Sequence, residues 1–323
     1  MAMRIVFCGT PQFAVPPLRH LLAQPDFEIL ALITQPDRPS GRGQKVAPSP
    51  VKQAALEPGI TILQPEHIQS PEVEHALRDL SADAAVLIAY GQIIPAGLLA
   101  LPRLGWINLH ASLLPKYRGA APIQWAIACG EQKTGLTTMK MDAGLDTGAI
   151  LLQQEMLIGP DETAPELSTR MAEAGAPLLA ATLRGLAASE VIPRAQEHSR
   201  ASHAPLLKRA DGRVDWSQSA ETIYNRIRGF APWPGAYAVF RGQTCHVWGR
   251  PLAVPAAASS GLPGTIRIES ETMGVVCGEG TRLELLFLQL AGRKRMSARE
   301  FANGFHLRGG ESFSALGASK QSG

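Results

Sequence analysis

The stretch RIVFCGTPQFAVPPLRHLLAQPDFEILALIT, residues 4–34, decides the fold class of this chain. It opens with a β-rich apolar run over Arg4–Cys8, which ends at the turn Gly9-Thr10-Pro11. Apolar residues at helical spacing follow within Phe13–Leu22, and a second apolar run covers Glu28–Thr34. The order of strand, turn, helix and strand predicts a sheet whose strands are separated by helices.

The same alternation continues as far as His110. Helices are predicted near Val51–Glu57 and over Pro71–Leu80, and strands over Thr61–Leu63, Ala84–Ala89 and Trp106–His110. Continuously apolar strands are typical of parallel sheets that helices cover on both faces. We therefore predict an α/β fold with a doubly wound parallel sheet over residues 1–189. Its ligands are expected at the carboxyl ends of the strands.

The second part of the chain has a different texture. The segment Glu190–Leu207 has two prolines, many polar residues and no periodicity, and so predicts a linker. One predicted helix at Ser219–Gly229 then precedes short strands at Ala236–Phe240, Cys245–Trp248, Gly264–Ile268, Gly274–Val276 and Leu283–Leu290. Short strands between Gly- and Pro-containing turns predict a small antiparallel β-barrel over residues 208–308. The Gly- and Ser-rich tail, residues 309–323, is expected to be disordered.

Length and charge indicate two domains of unlike character. A chain of 323 residues is expected to form about two domains at roughly 150 residues each. The overall net charge is +3, but residues 1–190 carry 14 Lys and Arg against 18 Asp and Glu, whereas residues 191–323 carry 17 against 10. This asymmetry, −4 against +7, indicates either a polyanionic partner for the second part or chance.

Cysteine spacing and hydropathy exclude several classes of protein. The four cysteines, Cys8, Cys129, Cys245 and Cys277, include no CxxC pair, and no histidine cluster accompanies them, so no zinc site is expected. Scattered single cysteines are typical of reduced thiols in a cytoplasmic protein. No apolar run approaches the roughly 18 residues that a membrane span requires. The N-terminus predicts a buried strand rather than a signal peptide.

A long basic loop separates the second strand from the next helix. The segment QPDRPSGRGQKVAPSP, residues 35–50, carries Arg38, Arg42 and Lys45 against Asp37 alone. Its four prolines argue against regular secondary structure. Loops of this length inside compact domains are usually functional or disordered. Arginines beside glycines suit close approach to a phosphate backbone, and the alternative is a solvated, disordered loop.

The most informative polar residues lie in an apolar strand. Asn108 and His110 are two positions apart in Trp106–His110, so their side chains project from the same face. Two buried polar groups are costly without partners, which favours a functional site over two core residues. Downstream, Asp142 and Asp146 lie in a loop punctuated by glycines. Either one of them orients the histidine through a hydrogen bond, or both are ordinary turn residues.

These residues form part of a pattern that resembles a known family. The run N-x-H-x-S-L-L-P-x-x-R-G at 108–119, followed by D-x-G-x-D-T-G at 142–148, is similar to the folate-dependent formyltransferases. The resemblance implies a Rossmann-like catalytic domain and an OB-like barrel, with 10-formyltetrahydrofolate as co-substrate and no metal. It also implies a catalytic trio of Asn108, His110 and Asp146. In such a trio, Asn108 and His110 donate hydrogen bonds to an oxyanion, and Asp146 orients His110.

Further stretches resemble one branch of this family. RIVFCGTPQFA at 4–14, TQPDRPSGRGQKVAPSPVK at 34–52 and IRGFAPWPGAY at 227–237 are similar to members that formylate methionine on the initiator tRNA, for translation initiation. The reaction implied is transfer of the formyl group to the α-amino group of that methionine. Folate contacts are then expected at Ile88, Tyr90, Gly91, Ile93, Ser112, Leu113, Leu114 and Pro115. Contacts with tRNA, which the charge asymmetry also favours, are expected at Arg38, Arg42, Lys45, Arg226, Arg228, Arg241, Arg293, Lys294 and Arg295.

Two alternatives stay open at this point. A formyltransferase for an amino-sugar nucleotide would share the trio and a similar barrel, although the arginine-rich loop argues against it. A non-catalytic RNA-binding protein would share the fold, although the intact trio argues against that. On the preferred hypothesis we expect a cytoplasmic monomer that binds initiator methionyl-tRNA and a small-molecule folate. Neither a membrane nor DNA is expected as a partner.

Overall fold

The structure, a computed structural model, describes residues 1–40, 45–56, 59–253, 261–269 and 272–313. These residues form two compact units. The first unit comprises Met1–Ile123, Lys133–Ile158 and Glu166–Pro205, and the second comprises Gln124–Gln132, Gly159–Pro165 and the chain from Leu206 onward. The single boundary expected at residues 190–207 is therefore incomplete, since two short segments from the N-terminal half belong to the second unit.

Local contacts explain why those two segments belong to the second unit. The ring of Trp125 meets the ring of Phe230 edge to face, with their centroids 5.2 Å apart. The guanidinium of Arg228 donates to the carbonyl oxygens of Gly159 and Glu162, each at 3.1 Å. Aromatic packing and a buried cation thus bind the short segments to residues far along the chain.

The first unit is built around a seven-stranded sheet. The strands of this unit are β1 (Met3–Gly9), β2 (Phe27–Ile33), β3 (Arg38–Ser40), β4 (Lys45–Ala47), β5 (Thr61–Leu63), β6 (Ala84–Ile88), β7 (Trp106–His110), β8 (Lys133–Lys140) and β9 (Ala149–Leu157). Seven of them pair in the order β5-β2-β1-β6-β7-β8-β9. The strands from β5 to β7 are parallel, as predicted, whereas β8 runs antiparallel to both of its neighbours, β7 and β9.

The sheet is therefore mixed: the predicted α/β fold with a parallel sheet is confirmed, and β8 is the one strand of this sheet, among the described residues, that runs in the opposite direction. Only residues 141–148 join β8 to β9. Parallel neighbours need a crossover of roughly a dozen residues or more, so this short connection requires an antiparallel pair. The connection is also the glycine-punctuated loop that carries Asp142 and Asp146.

Helices accompany these strands along the chain: the first three lie where the periodicity predicts, the fourth and the sixth were not predicted, and the fifth belongs mostly to the second unit. They are α1 (Val15–Leu22), α2 (Pro50–Leu56), α3 (Pro71–Leu80), α4 (Ala96–Leu99), α5 (Pro122–Ala128) and α6 (Ala164–Ala187). The Ser70 side chain caps α3 by accepting from the Val73 amide, and Pro71 occupies the first turn. One part of the core packs Val6, Cys8 and Trp106 together. No helix in the described ranges is both long enough and apolar enough to cross a membrane.

The basic loop is more regular than expected. Its described residues form an antiparallel pair in which β3 runs beside β4 and Pro39 lies opposite Val46. A two-stranded ribbon consists only of edge strands, which tolerate proline because a backbone N–H can be missing there. The prediction of a wholly irregular loop was therefore wrong. Arg42 lies outside the described residues.

The second unit contains the predicted antiparallel strands. They are β10 (Tyr237–Phe240), β11 (Gln243–Leu252), β12 (Ile266–Glu269), β13 (Thr272–Val276), β14 (Arg282–Leu290) and β15 (Met296–Ser297), with helices α7 (Ala220–Gly229) and α8 (Ala298–Gly304). The strands pair in the order β10-β11-β14-β13-β12, and β15 pairs with β14. The core packs Val247, Leu283 and Leu285 of the sheet against Phe301 of α8. This sheet confirms the predicted barrel-like second domain.

The chain stays attached to this sheet beyond the point where a disordered tail was expected. The amide of Ile266 donates to the carbonyl oxygen of Glu311 at 2.7 Å. Phe313 is 4% exposed and stacks on Trp216, with ring centroids 5.2 Å apart. Residues 309–313 are thus part of the folded unit, because their backbone pairs with β12 and their last ring is buried. Residues 314–323 lie outside the described part.

Residues 190–207, the connecting segment, lack regular secondary structure apart from one short turn of 3-10 helix at His198–Arg200. The segment is nevertheless attached to the first unit. Arg194 and Ile150 exchange both backbone hydrogen bonds, each at 2.8 Å. The amide of Ala204 donates to the carbonyl oxygen of Arg118 at 2.7 Å. The predicted linker is therefore partly a built element of the first unit.

Candidate active site

The register of three neighbouring strands places Asn108 on the face of the sheet. Asn108 of β7 lies beside Leu87 of β6 and opposite Met139 of β8. Asn108 is 7% exposed, and His110, two positions further along the same strand, is 6% exposed. The alternation of side chains along a strand therefore brings both polar groups to one face, as the sequence predicted.

His110 is held by two partners. Its Nε2 lies 2.9 Å from the carbonyl oxygen of Tyr117, and its Nδ1 lies 3.8 Å from Oδ1 of Asp146. A carbonyl oxygen only accepts, so Nε2 carries a hydrogen and donates it to Tyr117. The group left to meet a ligand or the carboxylate is Nδ1. The expected hydrogen bond from His110 to an oxyanion would therefore require a protonated Nδ1.

The loop between β8 and β9 gives different hydrogen-bond partners to its two aspartates, Asp142 and Asp146, of which the family resemblance implies Asp146 as the catalytic one. Oδ1 of Asp142 accepts from the Gly144 amide at 3.0 Å and from the Thr147 hydroxyl at 2.6 Å. Asp142 is thus an ordinary turn residue. Asp146 instead faces His110, and its Oδ2 accepts from the Gly119 amide at 2.8 Å. Its φ of 51° lies in the left-handed region, which non-glycine residues rarely adopt.

A cavity of about 170 Å³ adjoins this site, and we call it the smaller cavity. Its lining comes from the strand row described above and from the loops that follow β6 and β8: Leu87, Gln92, Ile93, Ile94, Asn108, Met139, Met141, Asp142, Ala143, Gly144, Leu145 and Asp146. Of the trio, Asn108 and Asp146 line it. Apolar walls with a few convergent amide and carboxylate groups suit a flat heterocycle with a donor–acceptor edge, such as a pterin.

The residues expected to contact folate, mainly through their backbone, differ in the exposure of their side chains. Ile93 is 84% exposed and lines the smaller cavity. The side chains of Ile88, Ser112 and Leu114 are buried, and the Ser112 hydroxyl donates to the carbonyl oxygen of Lys116 at 2.6 Å. Burial leaves these three side chains no surface for a ligand. The other expected contacts lie close by in the chain, at Tyr90 and Gly91 after β6 and at Leu113 and Pro115 after β7.

The structure adds residues that the motif analysis missed. Gln92, Met139 and Met141 line the smaller cavity, and strand register alone would have pointed to Met139. Thr137 is fully buried opposite His110 on β8. Its hydroxyl donates to the Ser112 carbonyl oxygen at 2.7 Å and accepts from the Leu114 amide at 3.1 Å, which fixes the turn after His110. Nothing in the local sequence marks Thr137 for that role.

A second and larger space, which we call the larger cleft, lies at the carboxyl ends of the parallel strands. Its volume is about 730 Å³, and Thr10, Gln35, Arg38, Tyr90 and Gly91 are among its lining residues. Gln92 lines both the larger cleft and the smaller cavity. The two spaces therefore meet at Gln92. A cleft thus lies at the strand ends, where a ligand site was expected, and a cavity adjoins it on the face of the sheet.

The cations expected to contact tRNA fall into two groups. Arg228 is buried and donates to Oδ1 of Asn225, besides the two carbonyl oxygens described above, so its guanidinium has an internal structural role. Arg226 donates to the Asp211 carbonyl oxygen, and Arg241 pairs with Glu311. These three arginines therefore differ from the expectation of free surface cations, because their groups are bound within the second unit.

The remaining expected cations are exposed. Arg38 is exposed in β3, and Arg293, Lys294 and Arg295 are exposed between β14 and β15. The guanidinium carbon of Arg295 lies 4.1 Å from the ring centroid of Phe287 and 4.4 Å from that of Trp248. Lys45 lies in β4, but its side chain, like Arg42, lies outside the described part. Among the described residues, no cluster of three or more His, Cys, Asp or Glu is arranged to hold a metal ion.

Comparisons with known proteins agree with the motifs. The family model described as formyl transferase matches residues 3–183, and the one described as formyl transferase, C-terminal domain, matches residues 206–306. The methionyl-tRNA formyltransferase of Solibacter usitatus (strain Ellin6076) is 53% identical over 306 residues, which cover 94% of this chain and 96% of the relative. That of Geobacter sulfurreducens is 46% identical over 317 residues, 98% of each chain.

Solved structures with this fold are more distant in sequence. The N-formyltransferase from Helicobacter canadensis, in complex with folinic acid and dTDP-3-aminofucose, matches with a TM-score of 0.63 at 17% identity, over 88% of this chain and 99% of that one. HypX from Aquifex aeolicus, in complex with tetrahydrofolic acid, matches with a TM-score of 0.62 at 14% identity, over 94% of this chain and 48% of that one. These likenesses show a shared fold, whereas the family matches and the near-full-length relatives establish kinship. The chain belongs to the formyl transferase family, among the methionyl-tRNA formyltransferases.

Proposed function

We propose that this enzyme transfers a formyl group from 10-formyltetrahydrofolate to the α-amino group of methionine on the initiator tRNA. One observation carries the proposal: Asn108, His110 and Asp146 converge beside a cavity, in a chain 53% identical to a methionyl-tRNA formyltransferase over nearly its whole length. Two members of the trio, Asn108 and His110, belong to one continuous sequence motif. The third comes from a separate loop and meets them through the fold.

The smaller cavity is the proposed site of the folate. Its apolar walls pack against the ring, and the side chain of Asn108 offers hydrogen bonds to polar atoms. The Gln92 amide shapes the wall instead, because it accepts from the Ile68 amide and donates to the Glu66 carbonyl oxygen. When bound, the folate supplies an activated formyl carbon. Asn108 lines the cavity and can direct its amide N–H at the formyl oxygen. That donor stabilises the negative charge that develops there as the amine attacks. The bond between the formyl carbon and the folate nitrogen then breaks, that nitrogen takes up a proton, and tetrahydrofolate leaves.

His110 and Asp146 are assigned to the proton that the amine loses. The amine must be neutral to attack, and its reference pKa of about 7.7–8.0 leaves roughly a tenth to a fifth neutral at pH 7. Since Nε2 is committed to Tyr117, Nδ1 of His110 is the atom that accepts a proton. The resulting imidazolium faces the Asp146 carboxylate at 3.8 Å, and this opposite charge stabilises it.

The larger cleft is the proposed entrance for the aminoacylated end of the tRNA. It meets the smaller cavity at Gln92, so an acceptor in one and a donor in the other come together. Arg38 lines the cleft as an exposed cation suited to phosphate. On the second unit, Arg293, Lys294 and Arg295 are the cations we assign to the RNA backbone.

Compartment and assembly follow from the same hypothesis. All four cysteines are free, and three of them are buried. Free thiols are maintained in reducing compartments, and the initiator tRNA is used where translation begins, so we place the enzyme in the cytoplasm. We propose that it acts as a monomer, with the initiator tRNA as its macromolecular partner. DNA and membranes have no role in this proposal.

A single-turnover assay tests the substrate assignment. Enzyme in excess over charged initiator methionyl-tRNA is mixed with 10-formyltetrahydrofolate, and formyl-methionine is measured over time. A parallel reaction offers an amino-sugar nucleotide, the acceptor of the alternative function. The proposal expects rapid transfer to the aminoacyl-tRNA alone. Preferential transfer to the sugar nucleotide would favour the alternative, and absence of transfer to both acceptors would contradict the proposed function.

A further inference from the structure

Gln196, a buried residue of the connecting segment, forms hydrogen bonds with Asp146 of the proposed trio and with Arg118. Gln196 is 6% exposed, although the segment around it lacks long regular elements. Its Nε2 donates to the carbonyl oxygens of Asp146 at 2.9 Å and Gly148 at 2.7 Å. Its Oε1 accepts from Nε of Arg118 at 3.1 Å and from Nη2 at 2.7 Å. Both ends of one amide are therefore fully used.

Arg118, the second partner, is itself fixed on several sides. It is 5% exposed, and its Nη2 also lies 3.2 Å from Nδ1 of His198. Its backbone amide donates to the Ser202 carbonyl oxygen at 2.8 Å, and its carbonyl oxygen accepts from the Ala204 amide at 2.7 Å. The connecting segment thus holds Arg118 through both its side chain and its backbone.

The neighbours of Arg118 in the chain are the anchors of the catalytic pair. The carbonyl oxygen of Tyr117 accepts from His110, and the amide of Gly119 donates to the Asp146 carboxylate. Gln196 therefore holds the residue between the two anchors and, at the same time, the backbone of Asp146 itself. These contacts form a closed ring of hydrogen bonds around the 3.8 Å approach of His110 to Asp146.

Backbone conformation shows why such support is needed. Asp146 has a φ of 51° and Tyr117 a φ of 59°, both in the left-handed region. Non-glycine residues in that region cost of order 1 kcal/mol or more and persist only where surrounding contacts hold them. The hydrogen bonds from Gln196 to Asp146 and to Arg118 are contacts of that kind.

We propose that Gln196 is a positioning residue that sets the separation and orientation of His110 and Asp146 by holding the Asp146 backbone and Arg118. This inference rests on the proposed function of the trio. Removing the amide in Gln196→Ala leaves two carbonyl oxygens and a guanidinium buried without that partner, so the two strained residues relax. We expect kcat to fall at least about tenfold, because misplacement by about 1 Å can cost up to a hundredfold.

A double-mutant cycle provides the decisive test. Gln196→Ala is made in the parent enzyme and in an Asp146→Asn background, and kcat is measured for methionyl-tRNA at saturating folate across pH 6–9. If Gln196 acts through Asp146, Gln196→Ala lowers kcat at least tenfold in the parent enzyme but twofold or less in the Asp146→Asn background. In the parent enzyme, Gln196→Ala also moves the midpoint of the pH–rate profile. The KM for tRNA and for folate should change less than twofold.

Controls separate positioning from folding. Thr182→Val removes a buried hydroxyl that bonds Thr138 and the Leu178 carbonyl oxygen, and it should lower the melting temperature without changing kcat or the pH profile. If Gln196→Ala behaves like Thr182→Val, or if its effect is equal in both backgrounds, the positioning role is wrong. Full activity of Asn108→Ala, His110→Ala and Asp146→Asn would instead refute the trio itself, which is a distinguishable failure.

Discussion

At the scale of single residues, the site depends on which atoms are already committed. Nε2 of His110 is bound to a carbonyl oxygen, so Nδ1 is the ring nitrogen left for the proposed role, and Asp146 faces it. Asp142 is also a carboxylate in the same loop, but its Oδ1 accepts hydrogen bonds from Gly144 and Thr147 within that loop. The difference between the two carboxylates therefore lies in their hydrogen-bond partners and not in their residue type.

Replacing Asn108 tests the proposed oxyanion donor. In Asn108→Ala the amide N–H that faces the formyl oxygen is lost, and we expect kcat to fall at least about tenfold. Folate affinity, measured by fluorescence titration, should fall less, because the apolar walls remain. Asn303→Ala, on an exposed position of α8, is the matched control and should retain full activity. An active, folded Asn108→Ala enzyme would remove Asn108 from the catalytic trio.

At the scale of elements, short ribbons and loops carry the functional groups while the large sheet holds them. The hairpin of β3 and β4 bears Arg38, the loop after β6 bears Gln92, and the loop after β8 bears Asp146. All three project from strands whose own residues are buried core. This division suits a site that must stay rigid at the reacting atoms and accessible at its edge.

The hairpin provides a test of tRNA entry. Arg38→Ala removes an exposed cation from the larger cleft, and we expect KM for methionyl-tRNA to rise about fivefold to tenfold, since a charge-assisted hydrogen bond contributes about 1–2 kcal/mol. The KM for folate should change less than twofold, because Arg38 lines the larger cleft and not the smaller cavity proposed for the folate. Arg19→Ala, on the exposed side of α1, controls for loss of one charge. Equal effects of both variants on tRNA would contradict the assignment.

Strand β11 provides a pH-dependent test of stability. Burial, and then the charge of Arg209, lower the pKa of His246 below its ordinary value of 6.5. The unfolded chain therefore binds a proton first as pH falls through about 6.5, and the free energy of unfolding decreases. We expect denaturant titrations at pH 7, 6 and 5 to show a smaller loss in His246→Gln. A dependence of the unfolding free energy on pH that is unchanged in His246→Gln would refute this account.

At the scale of the whole molecule, the opposite charges of the two parts of the chain agree with the proposed division of labour. The N-terminal 190 residues carry a net charge of −4 and the remainder +7. Part of that positive charge is internal, because Arg228 is buried and Arg241 is paired. The cations between β14 and β15 are exposed, which makes them the clearest candidates for an RNA backbone.

Salt dependence measures that contribution. Replacing Arg293, Lys294 and Arg295 together by Ala should weaken tRNA binding and reduce the slope of log Kd against log salt by about 2–3, because each released counterion contributes about 0.7–0.9. A triple Ala variant at Arg78, Arg103 and Lys133, exposed in the first unit, removes the same charge elsewhere. If both triple variants change the slope equally, net charge and not location governs binding.

The sequence by itself determined many of the strands and helices, and the family. Strands β1, β5, β6 and β7, helix α3 and the antiparallel second sheet follow from local periodicity, because burial imposes a repeat that neighbouring residues reveal. Asn108 and His110 were predicted as a pair for the same reason, since alternation on one strand is a local property. The motifs around them were sufficient to identify the formyltransferases.

Only the tertiary structure decided which residues pair by hydrogen bonds and contacts across the chain. The direction of β8, the internal role of Arg228 and the approach of Asp146 to His110 depend on partners that the local pattern does not contain. Gln196 lies 78 positions from Arg118 and 50 from Asp146, in a stretch without periodicity, yet it holds both. Hydrogen bonds between residues so far apart exist only once the sheet has brought the loops together. The hydrophobic periodicity of a sequence indicates which side chains are buried, but burial alone does not specify the hydrogen-bond partner of a polar group.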